Sequence, residues 1–206
     1  FAQQAENDFV EVKCGIMDQF VSYLGKKDSL LFLNCRNLEY QNISFNSNGN
    51  IGFVVIDTNV RRKLEDSEYN NIGLECKEAV SFYNNKFSAS YKDITEIISA
   101  KDFDLNCFPE KLKRRVMHVS SENSRVLTGI ENLKKGAYEA FGKLMYESHE
   151  SLKNVYGVSC KELDSIVNAS LQFNGVLGVK MSGAGFGGIA IALVEKLKVK
   201  EYLSYI

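Results

Sequence analysis

Tryptophan is absent from the 206 residues, proline occurs once (Pro109) and histidine twice (His118 and His149). The two histidines lie far apart with no ligand spacing, so no protein-held metal centre of the His/Cys type is expected. Five cysteines (Cys14, Cys35, Cys76, Cys107, Cys160) are odd in number, scattered, and never form a C-x-x-C pair. That usage excludes a zinc knuckle or a disulfide framework and points to reduced thiols in the cytoplasm. No apolar run approaches bilayer length, Ile189 to Val194 being among the longest, so no membrane partner is expected. Nor is there a charge excess of one sign, because the formal net charge is −1. Arg61-Arg62-Lys63 and Lys111 to Arg115 are short basic clusters with acids nearby, unlike the broad footprint of a nucleic-acid binder. An initiator Met and a basic, apolar leader are also missing, and Phe1 to Glu6 reads as the middle of a longer polypeptide.

What is present fits a globular protein: 45% hydrophobic and 25% charged residues. The local patterns describe mixed helix and strand. Residues 1–10 read as the end of a helix. Ile16, Phe20 and Leu24, with Tyr23 beside them, have the spacing of a buried helix face. Asp18 points about 200° away from Ile16 on such a helix, on a stripe with Gly15 and Ser22. Gly25 to Asp28 reads as a turn, Leu30 to Arg36 as a buried strand, and Asn42 to Asn50 as the most loop-like stretch. Ile51 to Thr58 reads as a central strand. From Glu75 the pattern turns helical, with Cys76, Ala79, Val80 and Tyr83 on one face. Pro109 precedes a basic helix, and Tyr138 to Leu152 forms an amphipathic one with Phe141, Leu144, Met145 and Leu152 as core positions. Ser159 to Glu162 carries an S-x-x-E capping signal before Leu163 to Leu171. Near the end, Gly183-Ala184-Gly185-Phe186-Gly187-Gly188 separates two strand-like flanks.

Two readings stand for Asp18. It is a solvated acid on an amphipathic helix, or a catalytic base on a rigid element with a glycine one turn earlier leaving room for a ligand. The glycine segment is likewise open between a tight strand–loop–strand connection and a backbone shaped for close approach. It is not a P-loop, since no Gly-Lys-[Ser/Thr] follows.

Three stretches carry a resemblance. Ala5-Glu6-Asn7-Asp8-Phe9 with Cys14-Gly15-Ile16-Met17-Asp18-Gln19 looks like the A-E-N-x-F and G-I-M-D-Q segments of the galactokinase branch of the GHMP kinases. Thr58-Asn59-Val60-Arg61-Arg62-Lys63-Leu64 with Ser67-Glu68-Tyr69-Asn70 is similar to that family's T-N-V-x-R-x-L…S-E-Y-N. Val179 to Gly188 resembles the third GHMP motif, R-M-T-G-G-G-F-G-G. Arg115-x-x-His118 and Glu122-Asn123 also look like the family, in packing and capping roles. The resemblance implies an α/β (α+β) protein: residues 1–45 ending a GHMP N-terminal domain, and 46–206 a C-terminal domain with an antiparallel sheet covered by helices. The family's sugar signature and its P-x-G-x-G-L-S-S-S phosphate loop would lie upstream of Phe1, in a missing N-terminal half of the same polypeptide. The fragment alone is therefore expected to be inactive.

The activity implied is MgATP-dependent phosphorylation of galactose at the anomeric hydroxyl. Asp18 would be catalytic, and Gly15, Asp18 and Tyr69 would bind the sugar. Glu6 would hold Mg²⁺, with an exposed helix-terminal acid as its plain alternative. Gly183, Gly185, Gly187 and Gly188 would shape the nucleotide side. Six positions depart from the family pattern: Glu11 for Gly, Ile72-Gly73 for an Arg pair, Lys180 and Ser182 for Arg and Thr, and Ala184 for Gly. The last is tolerated where φ is negative and costly otherwise. Alternatives within the fold are an arabinose or N-acetylgalactosamine kinase; outside it, a non-catalytic sugar-sensing relative or remnant.

Overall fold

The run Ile189-Ala190-Ile191-Ala192-Leu193-Val194 becomes the middle strand of the main sheet, and Ala190, Ala192, Leu193 and Val194 are each 0% exposed. Such an unbroken apolar strand needs cover on both faces. It receives that cover in the computed structural model, which describes residues 2–9, 14–60 and 66–206, with the side chains of 66–70 left aside. Among these residues the elements run α1 (Ala2–Asp8), α2 (Met17–Leu24), β1 (Ser29–Leu33), β2 (Tyr40–Ser44), β3 (Ile51–Asp57), α3 (Asp66–Phe87), α4 (Ile94–Ile98), α5 (Glu110–Lys134), α6 (Tyr138–Ser151), α7 (Lys161–Leu171), β4 (Val176–Ser182), β5 (Ile189–Glu195) and α8 (Val199–Tyr205).

The sheet order is β3-β5-β4, antiparallel throughout, and β1 and β2 form a separate antiparallel hairpin. One face of the main sheet carries Val54, Val179, Met181, Ala190, Ala192 and Val194, which pack with Leu163 and Val167 of α7 and Tyr202 of α8. On the opposite face α6 lies against β4 so closely that a Cβ on Gly142 would enter the Leu177 carbonyl, and one on Gly178 would enter that of Gly142. A second core joins α3, α4 and α5 through Ala79, Tyr83, Ile94, Ile97, Leu112 and Val116, with Phe108 stacked on Tyr83 at 5.7 Å. Pro109 caps α5 from outside, where its missing N–H costs nothing.

Several expectations change. Among the described residues Ile51–Asp57 is an edge strand, not a central one, and its Val55 is 61% exposed. The loop expected over 42–50 begins as strand, because Asn42, Ile43 and Ser44 pair with Leu31, Leu30 and Ser29. Only Ile43 of that strand is buried, so no apolar alternation announced it. Strand β1 is half-buried along its length rather than buried. In α2 no residue is fully buried, and Tyr23 is 88% exposed. In α6 the buried positions are Gly142, Met145, Ser148, His149 and Ser151, so Met145 is the one expected core residue fully buried. The Ser159 cap is not made; its hydroxyl donates to Asp164 Oδ1 at 2.6 Å instead.

Candidate active site

Asp18 occupies the first turn of α2, a favourable place for negative charge beside the helix N-terminus. Its side chain is exposed, with no hydrogen-bond or ion-pair partner among the described residues, so the carboxylate is open to a ligand. Gly15 stands just before the helix, and a Cβ added there would meet nothing within 4 Å. The backbone at Gly15 is therefore open to its surroundings.

Helix α1 is fastened to this turn by amides. Asn7 Oδ1 accepts from Cys14 N at 3.2 Å, Gln3 Nε2 donates to Cys14 O at 3.1 Å, and Gln19 Nε2 donates to Glu6 Oε1 at 2.8 Å. The last bond brings Glu6 to the residue adjoining Asp18. The Glu6 carboxylate also meets the Cys14 thiol, and its side chain is exposed. An exposed carboxylate of this kind fits a magnesium ion that keeps most of its waters. No cluster of three or more His, Cys, Asp or Glu side chains capable of holding a metal occurs among the described residues. At its other end α2 meets the hairpin, where Leu24 O accepts from Asn42 Nδ2 at 3.2 Å.

The glycine loop is built differently. Gly183, Gly185, Gly187 and Gly188 have φ of 83°, 88°, 126° and 76°, and Phe186 joins them at 56°. Ala184 is outside this left-handed set, which is the condition under which its methyl is tolerated. Phe186 N donates to Val158 O at 2.7 Å and Gly188 N to Val60 O at 3.2 Å. A Cβ on Gly187 would approach Val60 O to 2.7 Å. Two N–H groups of the loop are thus spent on the scaffold. The segment acts as a buttress packed against neighbouring backbone, and less as a cradle aimed at phosphate.

The same contacts join two of the three family-like stretches, since Thr58 to Val60 is the strand end on which the loop rests. Tyr69 falls in α3, but its side chain lies outside the described residues, as do Glu11 and Arg61 to Leu64. Ile72, standing where the family has an arginine, is 6% exposed and belongs to the main core with Val54 and Met181. A charge at that site would have to be buried, so the departure is absorbed by packing. Gly73 is exposed.

Behind the loop lies a polar layer that sequence reading only touched. Glu122 accepts from Ser148 Oγ at 2.6 Å, Lys180 Nζ at 3.3 Å and Arg125 Nε at 2.9 Å. Burial pushes the Glu122 carboxyl up, but Lys180, Ser148 and Arg125 outweigh it and hold it below the usual carboxylate range. Lys180 thus has a defined partner, which its place as a substitute for Arg had not revealed. His118 is a packed structural histidine as expected, with Nδ1 2.9 Å from Ser151 Oγ and its ring stacked on Tyr156 at 4.2 Å. Arg115 lies over the same Tyr156 ring, pairs with Glu75 at 2.6 Å and donates to the Tyr156 carbonyl. The signal missed for this layer was a pair of adjacent polar residues, Ser148-His149, both buried on an amphipathic helix.

Comparison with known proteins agrees with this fold. Residues 130–204 match the model of the GHMP kinase C-terminal domain. The chain is 42% identical to a galactokinase of Thermotoga neapolitana over 98% of its own length and 56% of the relative's. It is also 42% identical to a galactokinase of Clostridium tetani, over 96% and 50% respectively. The crystal structure of Lactococcus lactis galactokinase complexed with galactose superposes with a TM-score of 0.85 at 31% identity, covering 98% of this chain and 52% of that one. The chain therefore spans about half the length of the relatives it matches. Over residues 130–204 it carries the GHMP kinase C-terminal domain, and across its length it corresponds to the C-terminal portion of galactokinases.

Proposed function

We propose that this chain is the Asp-bearing portion of a galactokinase, whose complete polypeptide transfers the γ-phosphoryl of ATP to the anomeric hydroxyl of galactose. The observation that carries the reading is the match to galactokinases over nearly the whole chain, within which Asp18 keeps an exposed carboxylate and Gly15 an open surrounding. Phosphoryl transfer asks a protein mainly for in-line positioning and charge compensation. Asp18 takes the proton of the attacking hydroxyl as its oxygen bonds to phosphorus, and the bond to the ADP leaving oxygen breaks. Gly15 leaves room for the sugar, and Tyr69 offers it a hydroxyl and a flat apolar body. Glu6 holds Mg²⁺, which supplies charge neutralisation at the phosphates when bound. The Gly183–Gly188 loop supports the nucleotide side.

On this reading residues 1–45 complete the N-terminal domain and 46–206 form the C-terminal domain. The change of sheet between β2 and β3 supports that division. The upstream half supplies the phosphate loop and most sugar contacts, so the 206 residues alone release no ADP. The enzyme works in the cytoplasm; five unpaired cysteines support that placement, as does the lack, among the described residues, of a helix long and apolar enough to cross a membrane. The test is Asp18→Asn in the complete polypeptide. Loss of a general base costs about 10²–10⁴-fold in kcat, with the unfolding transition unmoved. Near-normal turnover would sink the assignment.

A further inference from the structure

Strand β4 is an edge of its sheet, and alternate N–H groups of an edge strand point away from the ladder. The N–H of Met181, one residue before β4 ends, is directed at His149 Nδ1, 3.4 Å away. A ring nitrogen that accepts carries no proton, so the imidazole proton sits on Nε2. Nε2 lies 3.2 Å from Asp164 Oδ1. The same oxygen accepts from Ser159 Oγ at 2.6 Å. Ser159 adjoins Val158, whose carbonyl takes the N–H of Phe186 at the crest of the glycine loop. One carboxylate oxygen therefore governs two ties to the loop, one at its entry and one beneath its crest.

The surroundings give those ties something to hold. Phe186 keeps φ of 56°, a conformation that persists in a non-glycine residue only when neighbours enforce it. A Cβ on Gly185 would press on Met181 Cε at 2.8 Å and Val158 Cβ at 2.9 Å, so the loop rests on the two residues that the ties fix. His149 and Met181 are each 1% exposed, so the bond between them is shielded from water. Lys153 holds the other carboxylate oxygen at 3.2 Å. Although serine, histidine and aspartate meet here, the trio is not a nucleophilic one. Ser159 donates to the aspartate rather than to the histidine, and the second ring nitrogen is occupied by a backbone N–H.

We infer that Asp164, acting through His149 and Ser159, is the positioning residue that sets the place of the Gly183–Gly188 loop, and through it the affinity for the nucleotide. The second half of that statement rests on the nucleotide-side reading of the loop given above.

The test uses the complete polypeptide carrying this chain. Asp164→Asn keeps the shape but loses the charge that holds the proton on Nε2, and Ser159→Ala removes the crest tie alone. Amide exchange should quicken about tenfold in peptides covering 181–188, the worth of one lost hydrogen bond, while peptides from α5 stay unchanged. In Ser159→Ala the change should centre on Phe186 and spare Met181. Lys153→Met, which leaves Oδ1 alone, should change neither. The KM for ATP should rise about tenfold in Asp164→Asn by the same measure, with the KM for galactose nearly constant. Unchanged loop exchange in Asp164→Asn and Ser159→Ala would overturn the proposal, and so would acceleration spread evenly over the protein. Faster loop exchange with an unaltered KM for ATP would uphold the tie and overturn the nucleotide-side reading of the loop.

Discussion

The carbonyl of Gly188 receives two hydrogen bonds from Thr58, one from its N–H at 2.9 Å and one from Oγ1 at 2.7 Å. Thr58 Oγ1 also accepts from Val60 N at 3.2 Å, and Val60 O accepts from Gly188 N at 3.2 Å. Two segments 130 residues apart are locked in this way. Thr58→Val keeps the shape, deletes the hydroxyl bonds and strands the Val60 N–H. A loss of about 1–2 kcal/mol is expected by urea unfolding, and Thr58→Ser, which keeps the hydroxyl, should lose much less.

Glycines at two helix positions should respond oppositely to the same methyl. At Gly142 a Cβ meets the Leu177 backbone, which cannot yield without moving β4. Gly142→Ala should cost about 3 kcal/mol. At Gly129 the nearest atom is the Phe141 ring at 3.3 Å, a side chain that can turn aside. Alanine there gains about 0.5–1 kcal/mol of helix preference, so Gly129→Ala should lie close to the parent protein. Equal midpoint shifts for the two would refute the close α6–β4 approach.

Acid should weaken the fold in a defined window. Burial lowers the His118 pKa from 6.5 to about 4, against a smaller opposing pull from Glu122. Between those values the unfolded chain binds more protons than the folded one. The stability His118 provides is therefore fully present above about pH 6.5 and falls by up to about 3 kcal/mol as pH drops to about 4. Burial also lowers the pKa of His149, which adds in the same direction. Glu75, Glu122 and Asp164 are held below their ordinary values by cationic and hydroxyl partners, so their contributions fade at still lower pH. Unfolding free energies measured from pH 7 to 4 should slope downward, and His118→Asn should flatten part of that slope. An unchanged profile in that variant would contradict the neutral buried imidazole.

Within the polar layer behind the loop, removing the acid should hurt more than removing either base. Glu122→Ala leaves Lys180 and Arg125 facing each other without their shared carboxylate. With these side chains only 16–30% exposed, the cost should be about 2–3 kcal/mol. Lys180→Ala leaves Glu122 still bonded to Arg125 and Ser148, and should cost less. The reverse order in chemical denaturation would show that Glu122 does not organise the layer.

What could be read in the sequence was what is local. Pro109 ahead of a basic helical run, the apolar run of β5 and the glycines between two strand patterns each announced their elements. Asp18 could be placed on a helix surface by counting residues. What could not be read depends on pairing across the chain. β2 is polar apart from one buried residue, so its strand character comes from the β1 ladder rather than from alternation. β3 has the composition of a central strand, yet no strand among the described residues pairs with its outer edge. His149 gave no sign of its role, because the group it serves, the Met181 N–H, belongs to a strand 32 residues away. Lys180 and Glu122 were each noted alone, and their pairing requires α5 to lie beside β4.

The most direct measurement is ADP release by the complete polypeptide that carries this chain, with galactose and without sugar, for the parent and for Asp18→Asn. The account predicts release that depends on galactose and collapses in the variant while the protein stays folded. Release that ignores galactose, or that survives Asp18→Asn at near-normal rate, would contradict it.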